Sequence, residues 1–62
     1  MKYSELERLV KKAGCYYTGK EQAGHPLWRN PKTGILFQMS HHPSEEVATG
    51  TLKKIKKAAG IK

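Results

Sequence analysis

A chain of 62 residues, 37% hydrophobic and 27% charged, can build one small folded unit but is too short for a deep substrate cavity. Its 12 lysines and arginines against 5 acids leave a formal net charge of +7, which draws it to polyanions: nucleic acid, an anionic membrane or an acidic protein. The lone Cys15 excludes an internal disulfide, and no Cys/His spacing fits a zinc motif.

The start, "MKYSELERLVKK", is charged and amphipathic, unlike a signal peptide or a membrane span, so a cytoplasmic, non-membrane protein of one domain over residues 1–62 is expected. Ser4 and Glu7 have the spacing of a capping box, and Leu6, Leu9, Val10 and Ala13 form one apolar helical stripe. Gly14 stands where a left-handed cap would end that helix. Residues 15–18, "CYYT", favour a strand that Gly19 stops. "PLWRN" reads as a second strand with Pro26 at its edge. "NPKTG", residues 30–34, is a turn, because Pro31 presets one turn dihedral and Gly34 permits the exit. "ILFQM" is then a third strand, antiparallel to the second, burying most area if Ile35, Phe37 and Met39 face inward.

The polar run "SHHPSEEVATG" connects to a final helix opened by Thr49 or Gly50. Leu52, Ile55 and Ala59 lie on one stripe of that helix, and Gly60 with Ile61 suits its C-terminal cap. Lys53, Lys54, Lys56, Lys57 and Lys62 occur there with no acid among them. The expected fold is small α+β, α-β-β-β-α, with a three-stranded antiparallel sheet and both helices on one face. That is the order of the double-stranded RNA-binding fold, although a fold alone assigns no function.

His25 is the sharpest chemical candidate, since imidazole exchanges protons near neutral pH and a turn entering a strand would hold it open to substrate. The residues alone favour a histidine without such a role. His41 and His42 are adjacent and diverge in an extended chain, so they cannot readily share a metal ion, and no metal or other cofactor is expected. Trp28 can stack on a base while Arg29 holds a phosphate, or Trp28 can instead fill a core short of aromatics. Lys20, Arg29 and Lys32, with Lys53, Lys54 and Lys57 of the last helix, are the candidate RNA contacts. Cys15 lacks an activating partner and reads as a small buried residue. Glu45 and Glu46 read as loop acids rather than a hydrolase pair.

Three stretches, "SELERLVKKAG", "GHPLWRNPKTG" and "EVATGTLKKIKKAAGI", together resemble the HicA toxins of bacterial and archaeal toxin–antitoxin pairs, in the right order and over nearly the whole chain. The resemblance implies a type II toxin: a metal-independent endoribonuclease (mRNA interferase) that cleaves mRNA, uses a single histidine as general acid or base, and is blocked by a HicB-like antitoxin protein. The family's catalytic histidine falls on His25. Around it this chain has "EQAGH" where the family carries a serine, and Pro26 follows. Two other readings stay open: a non-catalytic RNA-binding module of the same fold, and a basic protein-interaction module.

Overall fold

The computed structural model describes residues 1–61; Lys62, the last member of the basic run, lies outside the described residues. The elements are α1 (Tyr3–Lys12), β1 (Tyr16–Gln22), β2 (His25–Arg29), β3 (Leu36–Gln38) and α2 (Thr49–Ala59), in the expected order. The strands form one antiparallel sheet ordered β1-β2-β3.

α1 starts earlier than Ser4, and the expected Ser4–Glu7 capping box does not form. The N-cap is Lys2, with no side-chain cap bond. The N–H groups of Tyr3 and Ser4 donate instead to the carbonyls of Glu45 and Pro43, at 3.0 Å each. Those donors have no partner within a helix, so carbonyls of a remote loop satisfy them, the Ser4 N–H in place of the Glu7 carboxylate of a capping box. The same loop is anchored by buried Val47, whose N–H donates to the Met1 carbonyl at 2.9 Å. The polar connection before α2 is therefore a brace across the start of α1. At the other end, the N–H of Gly14 reaches the Lys11 carbonyl and that of Cys15 the Val10 carbonyl, the expected cap. Ile61 closes α2 in the same way on Lys56.

β1 continues past Gly19, against the expectation that this glycine ends the strand. Tyr17 pairs with Trp28 and Glu21 with Pro26, so Thr18, Gly19 and Lys20 together oppose Leu27. Gly19 absorbs this bulge at φ +81°. Thr18 Oγ1 donates to the Leu27 carbonyl at 2.8 Å and accepts from the Lys20 N–H at 3.2 Å, which occupies groups the ladder would leave unpaired. Beyond the bulge, Gln22 pairs directly with His25. Ala23 and Gly24 between them have φ +53° and +80°, a two-residue primed turn matched to the strand twist. His25 is thus the first residue of β2, fixed by a tight hairpin.

The core lies on the face of the sheet that both helices cover. Leu6 and Val10 of α1, Ile55 and Ala59 of α2, and Trp28 and Phe37 of the sheet belong to one buried cluster. Phe37 and Met39 face inward as expected, but Ile35 is exposed. It sits in the turn ahead of β3, where strand alternation has not begun.

Asn30 is the one buried polar side chain among the described residues. Its Nδ2 donates to the Ala58 carbonyl at 3.0 Å, and its Oδ1 accepts from the Lys32 N–H at 3.0 Å. It ties the end of β2 to the last turn of α2 and shapes the Pro31–Gly34 turn. Asn30→Ala leaves the Lys32 N–H and the Ala58 carbonyl without this partner, and is expected to cost about 1–3 kcal/mol. A lower midpoint in urea unfolding, with the slope unchanged, is the readout.

Candidate nucleic-acid interface

Strand alternation decides which side chains leave the core. Pro26 and Trp28 turn toward the helices, so His25, Leu27 and Arg29 point to the open face. Register extends that face across the sheet. Gln22 lies opposite His25, Gln38 opposite Leu27, and both Tyr16 and Leu36 opposite Arg29. His25 is exposed at one end of this surface. Arg29 Nη1 donates to the Tyr16 hydroxyl at 3.1 Å, which holds the guanidinium over the other end.

Trp28, a candidate for stacking on RNA or for filling the core, does not join this surface and takes the second role. It is 4% exposed, faces the core, and lies beside Tyr17 with ring centroids 6.3 Å apart. Burial of its large apolar ring outweighs any role at the surface. Lys20 is exposed in the β1 bulge and Lys32 is exposed in the turn after β2. Lys53, Lys54 and Lys57 are also exposed, and all three lie on the outward side of α2. Successive helical residues rotate by about 100°, so with Ile55 and Ala59 inward, Lys57 points straight out and Lys53 and Lys54 stand on either side of it, within one outward arc of about 100°.

Of these three lysines, Lys54 alone lines a groove of about 450 Å³ between α2 and the sheet. Its partners there include Gln22, Leu27, Leu36 and Gln38 from the open face, with Thr51 from α2. Asn30 ties the C-terminal end of α2 to the end of β2, α2 packs against β3, and Gln22, which lines the groove, is the residue that pairs with His25. The groove and His25 therefore adjoin.

A larger cleft of about 590 Å³ lies between α1 and the sheet, and His25 takes no part in it. Lys11 Nζ stands 5.9 Å from the Trp28 ring centroid there, a cation–π contact. His41 lines the same cleft with its Nε2 2.9 Å from Glu21 Oε1. Burial pushes the Cys15 thiol above its ordinary pKa, with a smaller opposing pull from Lys32, so it lacks the thiolate character of a nucleophile. His42 is exposed, and its backbone N–H donates to Ser40 Oγ at 3.1 Å. Glu45 accepts from Ser40 at 3.3 Å within the brace. This cleft holds packing and ion-pair contacts, whereas the open face carries His25. We therefore take the open face as the site.

Sequence reasoning missed Gln22, Gln38, Asn30 and the Glu21–His41 pair. The first two had a signal, since reading "AG" at residues 23–24 as a two-residue turn places Gln22 opposite His25. The Glu21–His41 contact joins residues 20 apart in the chain and had none.

Among the described residues, no three His, Cys, Asp or Glu side chains gather as a metal site. No helix among them is long and apolar enough to cross a membrane. A family model described as the HicA toxin of bacterial toxin-antitoxin systems matches residues 3–61. No curated protein and no solved structure matches the chain.

Proposed function

The chain belongs to the HicA toxin family, and from that premise we propose that it is an endoribonuclease cleaving mRNA without a metal, with His25 moving the proton. Family membership makes it the toxin of a toxin–antitoxin system with a cognate antitoxin as partner. The observation that carries the finer reading is the position of His25. It is exposed on the open face of a strongly basic protein, at a strand end set by a tight hairpin.

The reaction suited to one imidazole and surrounding cations is attack by the ribose 2′-hydroxyl on the adjacent phosphorus. The 2′-oxygen bonds to phosphorus and the bond from phosphorus to the 5′-oxygen breaks. The 2′-hydroxyl proton leaves, and the 5′-oxygen gains one. The products are a 2′,3′-cyclic phosphate and a 5′-hydroxyl end. His25 either accepts the first proton or donates the second, and water completes the exchange. Arg29 and Lys54 flank the path and offset phosphate charge, while Lys20, Lys32, Lys53 and Lys57 add longer-range attraction. Holding the 2′-oxygen in line with the leaving oxygen lowers the barrier without further groups. A HicB-like antitoxin that covers His25 and the face around it would block RNA by occupying this surface.

The test uses purified protein and an RNA oligonucleotide in excess chelator. Cleavage is expected to persist and to leave cyclic phosphate ends. It is expected to stop at any position where the nucleotide before the cut carries a 2′-deoxyribose. Cleavage of the deoxy-substituted position, or loss of activity on chelation alone, contradicts the mechanism.

A further inference from the structure

The groove beside His25 has a composition that the catalytic reading leaves unused. Leu27 and Leu36 supply apolar surface, and Leu36 is 52% exposed, which a small domain gains little by leaving in water. Gln22 and Gln38 bring one amide each, from β1 and β3, onto the same face. Lys54 adds a cation at the rim and Thr51 a hydroxyl. Both glutamines are exposed, and neither side chain takes a hydrogen-bond partner among the described residues, so the fold does not depend on their amides.

We infer that this groove holds one unstacked base of single-stranded RNA next to the cleaved bond, and that Gln22 and Gln38 select it. The inference rests on the reading of His25 as the proton-transfer group, because it assigns the groove to the same substrate. Gln22 stands directly across the ladder from His25, and Leu27 follows it by two strand residues, roughly 7 Å. A base whose ribose lies at His25 reaches the groove without a bridging nucleotide. The leucines contact the base face, Lys54 meets the neighbouring phosphate, and each amide offers both a donor and an acceptor to the base edge. The volume of about 450 Å³ suits a small organic ligand rather than a protein segment. One lysine beside two neutral amides also matches a base with its phosphate better than a run of carboxylates.

Partial digestion of a mixed-sequence, end-labelled RNA tests this through the ratio of cleavage between sites, which does not depend on total rate. The native protein is expected to prefer one base beside the cut by about 10-fold or more, as a well-placed amide contact allows. Gln22→Ala and Gln38→Ala are each expected to reduce that preference to about twofold or threefold, while Lys12→Ala on α1 leaves it intact. Cleavage without base preference, or a preference unchanged in both glutamine variants, overturns the inference while leaving the ribonuclease reading in place. If the native protein cuts no RNA, the ribonuclease reading falls. The groove is then tested by amide NMR with the four nucleoside monophosphates. Shifts at Leu27, Leu36 and Gln38 that Gln22→Ala weakens for one base support a base site. Shifts absent there, or equal for all four, overturn it.

Discussion

His25→Ala is expected to lower RNA cleavage by about 10²–10⁴-fold, the range that positioned proton transfer supplies. The fold should tolerate the change, because His25 is exposed and its backbone partner Gln22 is held through main-chain pairing. The measurement is single-turnover cleavage by native and variant protein in chelator, with circular dichroism melting as the check on folding. Equal rates would remove His25 from the mechanism, whereas RNA bound and left intact by the native protein would favour a non-catalytic RNA-binding module. The antitoxin provides a second readout. Producing the native chain without its partner should arrest growth, and His25→Ala should relieve the arrest while the variant still accumulates.

Leu6→Ala is expected to cost about 2–5 kcal/mol, since Leu6 is fully buried and its removal leaves a cavity in addition to the lost transfer energy. A chain of 62 residues has only about 3–9 kcal/mol of total stability to lose. The variant should therefore be largely or partly unfolded at physiological temperature. The single tryptophan sits in the same core, so its fluorescence during urea titration reports the loss directly. A midpoint unchanged from the native protein would mean that α1 contributes little to the core. The contrast with His25 separates two kinds of loss: one variant keeps the fold and loses chemistry, the other loses both.

The two helices were legible because their signals are local. Leu6 and Val10 of the first stripe, and Ile55 and Ala59 of the second, are buried as the 3.6-residue period requires. Gly14 and Gly60 end them through hydrogen bonds within a few residues. The sheet was legible in outline, but its details involve partners distant in sequence. Gly19 looked like a stop because glycine weakens an isolated strand, yet pairing with β2 made it the hinge of a bulge. Ser4 looked like a cap because its spacing to Glu7 fits, yet the helix starts before it and the Pro43 carbonyl takes the Ser4 N–H that Glu7 would have bonded. Trp28 was balanced between stacking and packing, and the lack of other large side chains for the core settled it.

The sequence by itself determined the composition of the surface, the order of the elements and the histidine worth testing. Charge, helical period and turn chemistry act over a few residues and survive without a partner. Only the tertiary structure decided which face His25 shares, and with what. Strand register put Gln22, Leu27 and Gln38 near it, set Arg29 at the far end of the same face, moved Trp28 to the opposite face, and left Lys54 as the helix lysine on the adjoining groove. Register follows from long-range pairing and from burial of one sheet face, and a shift of one residue would exchange the two faces entirely.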